Sequence, residues 1–198
     1  MNPFIQLKQT APASFFALLL ACFGVPRSAQ AVMPPPDGGY PGGNTAEGQA
    51  ALLALSSGTF NTGVGFFSLL SNTTASFNTG LGAGTLASVT TAQQNTATGA
   101  GALLSNTDGE LNTANGAFAL VSNTTGIQNV AVGASALSAN TDASFNTAVG
   151  ADALITNTVG QENTAIGATA LSSNTSGLDN AAVGLGALHN NTTGSNNV

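Results

Sequence analysis

Two consecutive segments, NTAVGADALITNTVGQE (146–162) and NTAIGATALSSNTSGLD (163–179), are variants of a single unit of seventeen residues. The unit occurs nine times, without an insertion, from residue 44 to residue 196. Asn begins every unit, Gly is always at position 5 and Leu is always at position 9. A constant period of this kind is typical of a solenoid, in which each repeat stacks on the next. Asn197 and Val198 begin a tenth unit, which favours a truncated array.

The composition of the unit predicts an all-β chain, because Gly, Asn and Thr are weak helix formers. We predict two short strands per coil, at positions 1–5 and 8–12, joined by turns at the fifth-position Gly and at positions 13–15. Coils stacked about 4.8 Å apart form parallel sheets, so the array makes a rod roughly 43 Å long. Asn at positions 1 and 12 is expected to form hydrogen-bonded columns, and Leu at position 9 an apolar column. The predicted fold is therefore a parallel β-solenoid of nine coils over residues 44–198.

Residues 1–31 have the pattern of a secretory signal peptide. A short start with one Lys precedes a largely apolar run (11–25), and SAQA, ending at Ala31, has the small residues that signal peptidase requires. The apolar run is too short to span a bilayer comfortably. We therefore predict cleavage after Ala31 and a secreted or bacterial cell-surface protein. Cleavage of a lipoprotein type, before Cys22, is the alternative.

The charge balance limits the partners of the mature chain. Lys8 and Arg27 are the only basic residues and both precede Ala31, so the eight Asp and Glu residues leave a net charge of −8. Nucleic-acid binding requires cations against phosphate, and an anionic membrane surface would repel such a chain, so neither partner is expected. The single Cys lies before the cut as well, which excludes a disulfide. Residues 32–43 (VMPPPDGGYPGG) are predicted to be an extended Pro/Gly tether.

The sequence offers few residues for catalysis, and we expect no enzyme activity, cofactor or metal. His189 is the only His, and no Cys or acid accompanies it at the spacing of a zinc site. A serine hydrolase would need a base beside a nucleophile elbow, and no Gly-x-Ser-x-Gly motif occurs. Asp108 and Asp142 share position 14 but lie two units apart, which is too sparse for a calcium-binding solenoid.

The aromatic residues are unevenly distributed. Phe60 and Phe77 occupy position 17 of consecutive units, and Phe66 and Phe67 lie together at the turn of the second unit. These four are the candidate binding patch, because a cluster of exposed aromatic side chains marks an interaction site. The alternative is that the rings pack over a corner of the solenoid or between associated chains.

The units NTAVGADAL, NTAIGATAL and NVAVGASAL resemble the head repeats of trimeric autotransporter adhesins, the YadA-like family. The matching A-[VI]-G cores include Ala148-Val149-Gly150 and Ala165-Ile166-Gly167. The resemblance implies a left-handed parallel β-roll that assembles as a trimer. It also implies adhesion at a bacterial cell surface, with a host, matrix or glycan surface as the partner.

The sequence therefore favours a non-enzymatic structural or adhesive element that acts through a regular surface of Asn and Thr. Self-association, with a trimer as one form, would cover the fourth-position side chains, which we expect to face outward or toward a partner chain. An ice-binding solenoid is the alternative function. It is favoured by Thr at position 2 in seven units and at position 13 in eight.

Overall fold

The computed structural model describes residues 40–198. The predictions for residues 1–39, which include the signal peptide, its cleavage at Ala31 and most of the tether, lie outside the described residues. Residues 40–43, the end of the predicted tether, lie against the first coil. The Tyr40 amide donates to the Asn44 carbonyl at 3.1 Å, and the Phe60 amide donates to the Gly42 carbonyl at 2.9 Å.

The described chain is a parallel β-solenoid, as the repeat predicts. We number its coils 1 to 9 from the position-1 Asn residues, so that coil 1 is 44–60 and coil 9 is 180–196. Each coil contributes one strand, and the strands form one sheet in chain order. From β1 to β8, each strand residue pairs with the residue seventeen positions later, as Thr147 does with Thr164. The strands are β1 Thr45–Glu47, β2 Thr62–Val64, β3 Thr79–Leu81, β4 Thr96–Thr98, β5 Thr113–Asn115, β6 Val130–Val132, β7 Thr147–Val149, β8 Thr164–Ile166 and β9 Ala181–Val183.

The second strand predicted for each coil, at positions 8–12, is absent from the described coils. The position-9 Leu has a φ between 50° and 53° in every coil, and position 7 also has a positive φ. A β-strand requires negative φ throughout, so this side of the coil is a series of turns. The turns still bond to the next coil: the Leu137 amide donates to Ala153 at 3.0 Å, and Ala139 donates to Ile155 at 3.1 Å.

The core consists of three columns of small or apolar side chains. Position 3 of the unit is the middle residue of each strand, and its side chain points inward. In most coils it is a buried Ala, which faces Ala at position 8 and Leu at position 9. The position-9 Leu residues of coils 2 to 8, from Leu69 to Leu171, are fully buried. Each buried Leu stabilises the fold by about 1.5–3 kcal/mol. The predicted apolar column is thus confirmed.

The position-1 Asn residues form a continuous ladder, which we call the first Asn ladder. The backbone amide of each Asn donates to the side-chain oxygen of the Asn one coil earlier, at 2.8–3.1 Å. Its own side-chain NH₂ donates to the position-15 carbonyl at 2.8–2.9 Å. Satisfied amides of this kind replace the hydrogen bonds to water that are lost on burial, and they also hold position 15 beside the strand.

The position-12 Asn residues form a second Asn ladder, but only from coil 4 onward. From Asn106 to Asn191, each side-chain NH₂ donates to the position-15 carbonyl of its own coil. From Asn123 onward, it also donates to the side-chain oxygen of the preceding Asn. Coils 1 and 3 have Leu55 and Val89 at this position instead. Asn72 of coil 2 lies between them.

In coils 2 and 3, the buried Ala pair of positions 3 and 8 is replaced by a Gly at position 3 and a hydroxyl side chain at position 8. Gly63 and Gly80 stand at position 3, while Ser68 and Thr85 stand at position 8. The two hydroxyls are buried and lie 2.8 Å apart, and the Ser68 hydroxyl also donates to the Gly80 carbonyl at 3.0 Å. A Cβ on Gly80 would lie 2.6 Å from the Ser68 Oγ and 2.7 Å from the Thr85 Oγ1. The missing methyl groups thus make room for the hydroxyls.

We expect Gly80→Ala to lower the free energy of unfolding by about 2–4 kcal/mol, because the methyl group overpacks the core and displaces a buried hydrogen bond. Adding Ser68→Ala and Thr85→Ala removes the two colliding oxygens and leaves an Ala pair like that of the other coils. The triple variant should therefore recover at least about 1 kcal/mol relative to Gly80→Ala. Urea unfolding followed by circular dichroism measures both values. A triple variant less stable than Gly80→Ala would contradict the explanation.

Candidate interaction surface

The outer side of the nine-stranded sheet presents two columns of side chains, which we call the strand face. Because side chains alternate along a strand, positions 2 and 4 point away from the buried position 3. In β7 the middle residue is buried, while Thr147 and Val149 are partly exposed. Strict pairing in register keeps the two columns regular along the rod. The strand face has one charged residue, Glu47.

The position-2 Thr hydroxyls make no hydrogen bond within the described chain, whereas most position-13 Thr hydroxyls donate to the next coil. The Oγ1 atoms of Thr107, Thr124 and Thr158 donate to position-13 carbonyls of the next coil at 3.0–3.2 Å. Among residues 40–198, no position-2 Thr side chain donates or accepts a hydrogen bond. The available hydroxyls are those of Thr45, Thr62, Thr79, Thr96, Thr113, Thr147 and Thr164.

The position-4 side chains make the second column of the strand face, and most are apolar. Leu81, Ile166 and Val183 are exposed by 49%, 41% and 73%. Glu47, Thr98 and Asn115 interrupt the column. The expectation that position 4 faces outward is confirmed. Three-residue strands are about 10 Å long, so nine of them cover roughly 430 Å², about half of what each partner buries in a stable protein dimer.

The four candidate Phe residues form two separate stacked pairs. The rings of Phe60 and Phe77 lie 5.3 Å apart, one coil above the other, and those of Phe66 and Phe67 lie 3.8 Å apart within coil 2. Their exposures range from 37% for Phe67 to 60% for Phe60. Within the described chain no aromatic contact joins the two pairs. The four residues are exposed, as a binding patch would require, but they stack as two pairs.

His189 has a partner that the sequence does not indicate. Its Nδ1 lies 2.7 Å from the Ser172 Oγ, one coil earlier at the same repeat position. Ser172 is only 7% exposed, so a substrate has little access to the hydroxyl. No acidic side chain in the described chain hydrogen-bonds to His189. The contact therefore joins coils 8 and 9 and has neither the access nor the acid of a hydrolytic triad.

Other possible sites in the described residues are also sparse. No group of three or more His, Cys, Asp or Glu side chains there could hold a metal ion. A cleft of about 350 Å³ lies at the N-terminal end, lined by Tyr40, Leu52, Leu53, Leu55 and the 56–59 segment, and Tyr40 is its one ionisable group. Residues 40–198 contain no helix with the length and hydropathy to span a bilayer.

Three of the Asn-x-Thr/Ser sequons at position 12 are poor glycan acceptors in this fold. Asn72, Asn123 and Asn174 are completely buried. The last two also hydrogen-bond within the second Asn ladder. A glycan requires an accessible side-chain nitrogen, so these residues serve the packing of the coils.

Two acidic side chains stack at position 17. Glu162 and Asp179 occupy this position in coils 7 and 8, and both are exposed. Protonated Glu162 donates a hydrogen bond to the Asp179 carboxylate, which raises the pKa of Glu162 above its ordinary value. Repulsion between the two charges raises the pKa further. A raised folded-state pKa stabilises the fold below the ordinary value of 4.5, and this stabilisation is lost as the pH rises through the folded-state pKa.

Glu162→Gln should therefore make the chain more stable at pH 7 than the parent and leave the two alike at acid pH. The amide keeps a hydrogen-bond donor toward Asp179 and removes the repulsion. Melting temperatures measured from acid to neutral pH at low salt test this prediction. Glu47→Gln, which removes a charge that has no acidic neighbour in coil 2, is the control. An equal gain at pH 7 from both variants would attribute the effect to net charge alone.

Comparison with known proteins does not identify a relative of this chain. Scans against protein-family models, curated proteins and solved structures each find no match.

Proposed function

We propose that the chain is a non-enzymatic structural and adhesive rod, secreted or held at a bacterial cell surface, that binds through its strand face. The observation that supports this proposal is the column of seven unused Thr hydroxyls, in register beside the apolar fourth-position column. The other frequent polar residues of the repeat, Asn at positions 1 and 12 and Thr at position 13, are mostly engaged in hydrogen bonds of the fold, with Asn72 and Thr90 among the exceptions. The strand face is the regular surface left for a partner.

The mechanism is the addition of many weak contacts. One Thr hydroxyl and one neighbouring methyl group bind weakly, but coils about 4.8 Å apart repeat that contact along the rod. A partner that is itself repetitive gains avidity from this arrangement without a deep pocket. A neutral polymeric glycan or a matrix fibre at a host surface has the required chemistry. The absence of basic residues from 32–198 agrees with a neutral partner.

The resemblance to YadA-like head repeats supports the same proposal. It adds self-association as a trimer, for which the strand face alone is too narrow. An assembly would therefore need further columns, and the exposed Phe pairs of coils 1 and 2 are the candidates. Such a trimer would leave the central and C-terminal strand faces free for adhesion.

A binding assay with matched variants tests the adhesive function. The purified chain is applied to immobilised matrix proteins and to a neutral-glycan array. Changing Thr96, Thr113 and Thr147 together to Val should weaken binding by about tenfold or more, because the hydroxyl column is interrupted while Val preserves the strands. Changing Thr74, Thr125 and Thr193, exposed at position 14, to Val is the control. Equal binding by both variants would reject the strand face, and no binding by the parent would reject adhesion to these surfaces.

Ice binding is the second candidate, and the same free Thr column favours it. A flat, uncharged array of hydroxyl and methyl groups can order water along the rod. The parent chain should then inhibit ice recrystallisation, the strand-face variant should lose this effect and the position-14 variant should keep it. A parent chain that leaves recrystallisation and the freezing point unchanged at high concentration removes this candidate.

A further inference from the structure

The junction between coils 3 and 4 lacks bonds that every other junction has. At the seven other junctions, the position-13 amide donates to the position-13 carbonyl of the next coil, as Thr73 does to Thr90 at 3.3 Å. The Thr90 amide makes no such bond, and the Thr107 carbonyl accepts no hydrogen bond within the described chain. The hydroxyl bonds of position 13 follow the same pattern: Thr73 donates to Thr90 and Thr107 donates to Thr124, while Thr90 donates to nothing.

The second Asn ladder starts on the C-terminal side of the same junction, at Asn106. Val89 occupies position 12 of coil 3, so Asn106 of coil 4 has no amide below it. On the other side of Val89, the completely buried Asn72 has no partner for either side-chain atom. An unpaired buried amide destabilises the folded state. Coil 2 therefore has an unpaired amide and coil 3 lacks the ladder.

The remaining contacts of this junction are intact, so the defect is confined to one corner. Strands β3 and β4 pair in register, and the first Asn ladder passes through Asn78 and Asn95. At the loosened corner, the one side-chain bond between the coils joins the Thr91 hydroxyl to the Asp108 carboxylate at 3.3 Å, and both residues are exposed. We call this corner, formed by positions 12–14 of coils 3 and 4, the seam.

We propose that the seam divides the solenoid into two cooperative units, and that coils 1–3 open together before coils 4–9. In a stack of repeats, each coil is stabilised by its neighbours, so the array separates at its weakest junction. Opening there releases residues 44–94 and exposes the edge of β4, which then has unpaired backbone groups able to accept another strand. The seam is thus a conformational device that makes the N-terminal coils detachable.

Hydrogen exchange of the full chain, followed by mass spectrometry, tests the proposal. The expected result is a step: similar fast exchange in coils 1–3 and protection at least about tenfold greater from coil 4 onward. A smooth gradient from coil 1 to coil 9 would be simple fraying from the end. Either that gradient or uniform protection would overturn the proposal.

Two variants separate the seam from general stability. Val89→Asn supplies the missing amide between Asn72 and Asn106, so the step should shrink or disappear. Asn72→Val removes the unpaired amide but leaves the seam, so coils 1–3 should become more protected while a step remains at the same junction. If Val89→Asn leaves the step unchanged, or if Asn72→Val abolishes it, the seam is not the boundary.

Discussion

Asn146→Ala is expected to lower the free energy of unfolding by about 3–5 kcal/mol, although it removes only one polar side chain. The Asn146 side chain accepts from the Asn163 amide at 3.0 Å and from the Asn163 side-chain NH₂ at 3.2 Å, and it donates to Gly160 at 2.9 Å. The variant leaves the buried Asn163 amide unpaired and opens a cavity between coils 7 and 8. Both effects are costly in an interior that water does not reach.

Urea unfolding of the full chain measures this loss. Asn115→Ala is the matched control, because Asn115 is exposed on β5 and its side chain makes no hydrogen bond in the described chain. The control should change the unfolding free energy by less than about 0.5 kcal/mol. If Asn146→Ala were as mild as the control, the first Asn ladder would not contribute to stability as argued.

Gly150→Ala should be at least as damaging, with a loss of about 4 kcal/mol or more. Gly150 has a φ of 136°, and an added Cβ would lie 2.5 Å from the carbonyl carbon of Gly167. Neither the added Cβ nor the Gly167 carbonyl can move away, since each is fixed to the backbone of one of two paired coils. The side chain would therefore force coils 7 and 8 apart and weaken the strand pairing on both sides of the turn.

Gly184 provides the control for this variant. It occupies the same position in coil 9 with a φ of 127°, but an added Cβ would meet no atom within 4 Å. Gly184→Ala carries the backbone strain alone, about 1–3 kcal/mol. The difference between the two variants, measured by urea unfolding, is the cost of the close approach. Equal losses would mean that strain alone, and not contact between coils, requires the glycine.

The period alone was sufficient to predict the solenoid, the parallel register and the Asn and Leu columns, because constant spacing permits each residue to stack on its equivalent. The second strand could not be rejected from sequence. Leu rarely adopts a positive φ, so nothing in the residue type at Leu103 or Leu120 indicates the turns observed there. The position-5 Gly residues were predicted as turn residues, but the contact between successive glycines is a property of the stacked coils.

The sequence predicts the candidate interaction surface only in part. Thr at positions 2 and 13 looks alike in the sequence, and the distinction arises from geometry: Thr124 at its turn reaches a carbonyl of the next coil, whereas Thr113 points outward from a strand. The sequence predicts a single patch of four Phe side chains, whereas in the structure they form two separate stacked pairs. The two departures from Asn at position 12, Leu55 in coil 1 and Val89 at the seam, are visible in the sequence, but the unpaired side chain of Asn72 between them is visible only in the structure.

Because of the first Asn ladder, the length of the solenoid can change while its cross-section stays the same. Each coil bonds to its neighbour through the same hydrogen bonds between position-1 Asn residues. Duplication or loss of one seventeen-residue unit within coils 4–9 therefore creates no new kind of junction. Such a change would alter the reach of the rod by about 4.8 Å and leave its cross-section as it was. Unequal recombination between near-identical repeats could therefore produce a family of rods of graded length, each folding by the same local rules.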